Sequence, residues 1–198
     1  ASSGAETSSE KKPESIGRTD IISANSSDIR SMDPQVGVDS PSATLNFHIY
    51  NGLIKIDDNR EPVGDLAESF EIVDDTKYKF KLRKGVKFHN GDELKASDVK
   101  FSLERAKEMP RVKQYVEQID SITVEDDHNL TLHLAEPYAP LLAALSHTGT
   151  SIVPEAAVTA QGDAFWENPI GTGPMQFVEW VPNDHYSLKR FDDCFKGP

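Results

Sequence analysis

The segment that most constrains the fold is residues 64–106, which predicts strand, turn, strand, tight turn and helix without a gap. Between residues 77 and 83, rings and aliphatic side chains alternate with cations, a period of two that separates them onto opposite faces of a strand. Asn90-Gly91 then predicts a tight turn, because both residues tolerate positive φ. From about residue 96, apolar side chains recur at the spacing of a helix with one buried face.

Composition limits the classes of function. The chain has 198 residues, of which 37% are hydrophobic, and this is enough apolar material for one domain or two small ones. Lys plus Arg number 21 and Asp plus Glu number 33, so the net charge is −12. Nucleic acid and an anionic membrane surface both require a basic face, so we expect neither as a partner. The acidic balance is more typical of plain solubility than of a cation-binding device.

The sequence lacks the usual patterns of catalytic and metal sites. None of its six histidines forms an i, i+4 pair on a predicted helix, and its single cysteine, Cys194, lies in no His-Cys cluster. Adjacent carboxylates such as Asp126-Asp127 fall in predicted turns, where solvation and local hydrogen bonds explain them. The glycine-rich residues 171–174 lack the lysine and following helix of a phosphate-binding loop. We therefore predict no enzyme, no catalytic residue, no cofactor and no metal site.

The 64–106 segment resembles the signature of the family 5 extracellular solute-binding proteins, the receptors of peptide and nickel ABC importers. The matching residues are Ala67-Glu68-Ser69, Tyr78-x-Phe80-x-Leu82-Arg83-Lys84-Gly85-Val86-Lys87-Phe88, Asn90-Gly91, Asp98-Val99 and Ser102-Leu103-Glu104-Arg105. One residue departs from the pattern, since Lys95 stands where the family usually has Thr. A lysine cannot cap a helix by accepting a backbone N–H, so we expect Ser97 to take over the cap or the helix end to fray.

Weaker matches extend the resemblance over residues 19–198. Residues 31–34 resemble a Leu-Asp-Pro element, with Met32 in place of Leu, and residues 171–174 match a Gly-Thr-Gly-Pro turn. Residues 191–197 resemble an Asp-Asp-Tyr-Trp element, with Cys and Phe in place of the aromatic pair. Family members continue well past this point with a second lobe, so we interpret the chain as an N-terminal portion.

The resemblance implies an α/β fold of the periplasmic binding-protein type II kind, present as a partial first lobe with an inserted α+β subdomain. Residues 1–18 are small, polar and unpatterned, and predict a disordered tether. Residues 19–44 and 151–198 are expected to form the incomplete sheet portion of the main lobe. Residues 45–150 are expected to form the inserted subdomain of strands and flanking helices.

The implied function is capture of oligopeptides by closure of two lobes, and their delivery to the membrane permease of an ABC importer. Two alternatives stay open: a nickel or metal-chelate receptor of the same family, and a scaffold or interaction domain that binds no solute. The implied location is the extracellular side of the bacterial cytoplasmic membrane, at the cell surface or in the periplasm. The only membrane contact would be a lipid anchor upstream of Ala1.

The first candidate ligand segment is Val38, Asp39 and Ser40, which the resemblance places along the cleft. Prolines and a glycine on both sides make the segment irregular, so its backbone groups are free to pair with an extended peptide. An ordinary surface loop is an equally good reading. A helix is predicted to follow from Ser42.

The other candidate ligand residues are Tyr115, His147, Thr148 and Gly149. By resemblance, Tyr115 lies in a region that approaches the cleft, although a packing role in the core is the commoner one for an aromatic residue. Residues 147–149 are where the chain would leave the inserted subdomain and return beside the cleft. His147 is either a ligand contact or a hydrogen-bonded structural residue.

Overall fold

A computed structural model describes residues 25–197, so the tether expected for residues 1–18 lies outside the described part, as do residues 19–24 of the expected main-lobe portion. The α-helices are α1 (Ser40–Ile49), α2 (Ala96–Glu108), α3 (Leu141–Ala144) and α4 (Glu155–Gln161). Short 3-10 turns occur at Lys113–Tyr115, Thr148–Thr150 and Gly162–Glu167. The strands are β1 (Ile54–Ile56), β2 (Pro62–Gly64), β3 (Ala67–Asp74), β4 (Lys77–Leu82), β5 (Ile119–Asp126), β6 (Asn129–Leu134), β7 (Met175–Val181) and β8 (His185–Arg190). Within residues 25–197, the helices are all too short or too polar to cross a bilayer.

A four-stranded antiparallel sheet in the order β3-β4-β6-β5 forms the centre of the chain. The alternation expected in residues 77–83 is confirmed: Tyr78, Phe80 and Leu82 are buried, and the lysines between them point to solvent. Phe80 pairs with Leu130 on β6, so apolar side chains of neighbouring strands share one face. Residues 62–64 form the short strand β2, which pairs antiparallel with β1.

Helix α2 covers the apolar face of this sheet. Val99, Leu103 and Ala106 are fully buried, as their spacing predicts. The helix begins at Ala96, as predicted, but Ser97 does not form the cap. Instead the Asp98 carboxylate accepts the N–H of Lys95 at 2.9 Å. A carboxylate in the first turn that reaches back in this way satisfies one of the free N–H groups and complements the helix dipole.

Two apolar cores lie side by side. The first contains the sheet face and α2, and the second collects Ile29, Met32, Leu45, Ile49, Tyr50, Val153, Val158 and Phe165. The boundary expected between residues 44 and 45 therefore falls inside α1, whose apolar side chains pack in the second core. Among residues 25–44 and 151–197, the strands are β7 and β8, which pair only with each other.

A buried ion pair ties the 31–37 loop to α2. The guanidinium of Arg105 contacts both carboxylate oxygens of Asp33, donates to Gln35 Oε1 at 2.6 Å, and lies 4.5 Å from the centre of the Trp166 ring. The Asp33 side chain is only 5% exposed and that of Arg105 17%. A two-pronged contact of this kind compensates the buried charge of the carboxylate.

His89 fastens the bend at residues 171–174. Its backbone N–H donates to Gly171 O at 2.9 Å, its Nδ1 accepts the N–H of Gly171 at 3.3 Å, and its Nε2 donates to Gly173 O at 2.9 Å. Added Cβ atoms on the two glycines would lie 2.1 and 2.4 Å from carbonyl oxygens of α1, so only glycine permits this approach. The bend is thus held between α1 and the turn that follows Phe88.

Replacing Arg105 with Met should lower the free energy of unfolding by ~3–5 kcal/mol, because it leaves the Asp33 carboxylate buried without a counter-charge. Urea denaturation measures this loss. Lys100→Met on the same helix is the matched control, since it removes only an exposed pair with Glu104 and should cost less than about 0.5 kcal/mol. Equal losses in the two variants would contradict the role given to the buried pair.

Acid should weaken the His89 contact. Burial lowers the pKa of His89 below its ordinary value, so the folded chain prefers the neutral ring. The contribution of the neutral ring to the free energy of unfolding is fully present above the unfolded-state pKa of about 6.5. It is lost as the pH falls through the lower folded-state pKa. His89→Gln keeps a donor and an acceptor but does not titrate. Urea unfolding should therefore show a smaller loss of stability on acidification in this variant than in the parent chain.

His185 provides the control of opposite sign. Hydrogen bonds to Asp184 and Glu179 raise the pKa of this exposed histidine, so its contribution is greatest at low pH and disappears as the pH rises. His185→Gln should leave the acid-induced loss intact or enlarge it. A response identical to that of His89→Gln would show that the loss comes from elsewhere.

Candidate functional site

Tyr115 and His147, two of the predicted site residues, stack on each other. Their ring centres are 4.1 Å apart and the ring planes differ by 21°. Tyr115 ends the 3-10 turn that follows α2, and His147 caps the turn Thr148–Thr150. Both side chains are half-buried, so part of each ring faces solvent. The pair therefore presents an aromatic surface with a polar edge.

His147 is also tied into its own turn. Its Nδ1 accepts the backbone N–H of Gly149 at 3.0 Å, and its carbonyl oxygen accepts the N–H of Thr150 at 2.9 Å and that hydroxyl at 2.7 Å. Burial lowers the pKa of His147, so the ring is neutral at neutral pH. The Nε2 atom forms no hydrogen bond within residues 25–197.

Gly149 and Thr148 position the turn. A Cβ on Gly149 would lie 2.4 Å from Cγ1 of Val112, so the lack of a side chain lets the turn sit against the segment that leads to Tyr115. The N–H of Gly149 is already paired with His147. Thr148 uses its carbonyl oxygen to accept both the N–H and the hydroxyl of Ser151. Direct contact of either residue with a solute stays a prediction.

Residues 38–40 are more ordered than expected. The helix begins at Ser40 rather than Ser42, and Asp39 is its cap, with Oδ1 accepting the N–H of Ser42 at 3.2 Å. The N–H of Val38 donates to Val36 O at 3.0 Å, and the carbonyl of Asp39 accepts from Ala43 at 2.8 Å. The expectation of an irregular segment with unused backbone groups is therefore wrong for these two groups.

Some backbone groups of this segment remain free. Within residues 25–197, the carbonyl of Val38 and the N–H groups of Asp39 and Ser40 have no partner. Helix α1, which follows them, packs against the turn Thr148–Thr150. Val38 and Tyr115 both pack against the first core. The two candidate segments therefore lie on neighbouring elements, although their contact with a common solute stays a prediction.

Sequence reasoning missed Asn46, which lies on the same helix. The residue is fully buried, and neither its Oδ1 nor its Nδ2 has a partner within residues 25–197. Oδ2 of Asp39 is likewise buried and unpaired. The sequence did contain a signal for Asn46: it is a polar amide between Leu45 and Ile49, on the apolar face of a predicted helix. Unsatisfied buried polar atoms are rare in proteins, and those of Asp39 and Asn46 lie on one helix.

Other parts of the described surface are weaker candidates for a solute site. Two shallow depressions of about 270 and 450 Å³ lie on the four-stranded sheet and at its hairpin end, away from the Tyr115–His147 pair. Within residues 25–197, no three His, Cys, Asp or Glu side chains are close enough to hold a metal ion. The stacked pair, together with helix α1 that packs against the turn Thr148–Thr150, is therefore the best candidate for a solute contact.

Comparison with known families gives one matching model over most of the chain. It is described as bacterial extracellular solute-binding proteins, family 5 middle, and it matches residues 61–198. The chain is also 33% identical over 182 residues to a glutathione-binding protein, GsiB, of Pectobacterium atrosepticum. That match covers 90% of this chain and 35% of the relative, so the chain spans about a third of the relative's length.

Solved structures show the same relationship. The periplasmic binding protein DppA of Helicobacter pylori, in complex with the peptide STSA, is 31% identical with a TM-score of 0.77, over 87% of this chain and 39% of that one. A nickel ABC transporter structure from Bacillus halodurans is 29% identical with a TM-score of 0.75, over 87% of this chain and 35% of that one.

Gly149→Ala should lower the free energy of unfolding by about 1–3 kcal/mol, because the new methyl group overlaps Val112. A double-mutant cycle with Val112→Ala measures the coupling by urea denaturation. The cost of Gly149→Ala should be smaller in the Val112→Ala background, where Cγ1 is gone. Costs that simply add would contradict the close contact.

Proposed function

Because the chain belongs to the bacterial extracellular solute-binding proteins of family 5, we propose that it forms part of a receptor that captures oligopeptides for an ABC importer. The family consists of solute-binding receptors rather than enzymes, and the described chain is a partial lobe of the periplasmic binding-protein type II fold. The observation that carries the proposal is the stacked Tyr115–His147 pair. It joins two residues that the resemblance alone had placed near the cleft.

A peptide would contact the start of α1 through main-chain pairing. The free carbonyl of Val38 and the free N–H of Asp39 supply one acceptor and one donor. Such backbone pairing gives affinity that does not depend on the peptide sequence, and water-filled pockets would accommodate the side chains of the peptide. The Tyr115 ring would offer an apolar surface beside this strip. A second lobe would close over the bound peptide from the other side.

The runner-up is a receptor for nickel or a metal chelate. The similarity to the Bacillus halodurans nickel transporter favours it. Residues 25–197 bring no metal-ligating cluster together, so a metal would have to arrive as a chelate or be held by other residues. A scaffold domain without a solute is the remaining candidate, which has no observation of its own in its favour.

The partners and location follow from the same proposal. The receptor would act on the extracellular side of the cytoplasmic membrane and deliver its solute to the importer's permease. A lipid anchor upstream of Ala1 would hold it there. The net charge of −12 favours a soluble receptor surface over binding to nucleic acid or anionic lipid.

Calorimetry on the whole receptor that contains this chain should give micromolar or tighter affinity for short peptides. Tyr115→Ala should weaken that affinity by about tenfold, the value of one lost aromatic contact. Tyr138→Ala is the matched control, because Tyr138 also packs half-buried against the first core but lies outside the candidate site. Residues 1–198 alone should bind weakly or not at all, since they provide one face of a cleft.

Two results would contradict the proposal. One is a whole receptor that binds no peptide, and the other is an equal loss of affinity in the Tyr115 and Tyr138 variants. Micromolar binding by residues 1–198 alone would contradict the requirement for a second face.

A further inference from the structure

We propose that His147 acts as a fixed hydrogen-bond donor, so that the solute places a carbonyl or carboxylate oxygen against it rather than a metal ion. This inference rests on the proposed function, because it assumes that a solute reaches the Tyr115–His147 pair. It narrows the solute to organic molecules with an exposed acceptor oxygen at this point, a class that includes peptides and other amino-acid derivatives.

One of the two ring nitrogens of His147 already has a hydrogen-bond partner. The backbone N–H of Gly149 donates to His147 Nδ1 at 3.0 Å, so that nitrogen must carry a lone pair. A neutral imidazole has one N–H, which must then be on Nε2. Since Nε2 has no partner within residues 25–197, the half-buried ring keeps one donor free for a solute.

The surrounding contacts fix this orientation. Tyr115 stacks on the ring and restricts its tilt. Turning the ring over would put a C–H group against the Gly149 N–H and lose that hydrogen bond. Gly149 cannot move aside easily, because it is pressed against Val112. The carbonyl of His147 is also held by Thr150.

The same geometry opposes metal binding through this residue. A histidine that binds a metal through Nε2 normally keeps its proton on Nδ1 and donates it to a carboxylate or carbonyl. Here Nδ1 faces an N–H donor, so metal binding would break the contact with Gly149. Within residues 25–197, no group of three His, Cys, Asp or Glu side chains is placed to hold a metal ion, so His147 has no partner ligands there for a cation.

The tautomer can be measured on residues 1–198 by two-dimensional ¹H–¹⁵N spectroscopy of the imidazole nitrogens at neutral pH. Nε2 should show the shift of a protonated nitrogen and Nδ1 that of an unprotonated one. Added Ni²⁺ should leave the His147 signals sharp. A proton on Nδ1, or selective broadening of His147 by Ni²⁺, would overturn the inference.

Solute recognition is then compared in the whole receptor by calorimetry. His147→Gln can accept from Gly149 and still donate, so it should retain more affinity than His147→Phe, which should lose about tenfold, equal to 1.4 kcal/mol. Equal losses would overturn the donor role. Peptides with a free carboxylate and peptides with an amidated C-terminus distinguish the two acceptors. If His147 contacts the carboxylate, only the free peptides lose affinity on His147→Phe. If it contacts a carbonyl, both kinds of peptide lose affinity.

Failure of the inference and failure of the proposed function are distinguishable. The tautomer and nickel measurements need no solute, so they decide the chemistry of His147 by themselves. A whole receptor that binds none of the peptides would instead overturn the proposed function.

Discussion

The buried contact between Arg105 and Asp33 is the interaction on which the arrangement of the candidate site depends. Arg105 lies on α2, whose apolar face belongs to the first core, and Asp33 lies in the loop that carries Ile29 and Met32 into the second core. The chain that follows Asp33 supplies the start of α1. A shift of this pair would therefore move the start of α1 relative to the first core, against which both Val38 and Tyr115 pack.

The elements that could be predicted from sequence are those set by local periodicity. Alternation in residues 77–83 and helical spacing from residue 96 both describe how one element buries one face, and both are confirmed. The start of α1 and the capping residue of α2 were wrong, because capping depends on a specific side chain at or near the first turn. Asp39 followed by Ser40 and a proline was a readable signal for the earlier start of α1.

The candidate site could be predicted only in part. The resemblance placed Tyr115 and His147 in one region, but nothing in the sequence predicts that rings 32 positions apart should stack at 4.1 Å. That contact depends on two short turns that meet because Gly149 has no side chain to hold Val112 away. The unpaired side-chain amide of Asn46 could not be predicted for a related reason. Whether a buried amide finds a hydrogen-bond partner depends on which elements pack around it in the folded chain.

The bend at residues 171–174 has a consequence for how this chain can vary in evolution. A buried leucine can usually be exchanged for another side chain of similar volume, because neighbouring atoms adjust. Gly171 and Gly173 have no smaller substitute, and the atoms they approach are main-chain oxygens of α1 that every sequence possesses. No compensating mutation in α1 can remove those oxygens. The spacing between the two cores is therefore constrained more strictly by these two glycines, which tolerate no side chain, than by the apolar residues that fill the cores.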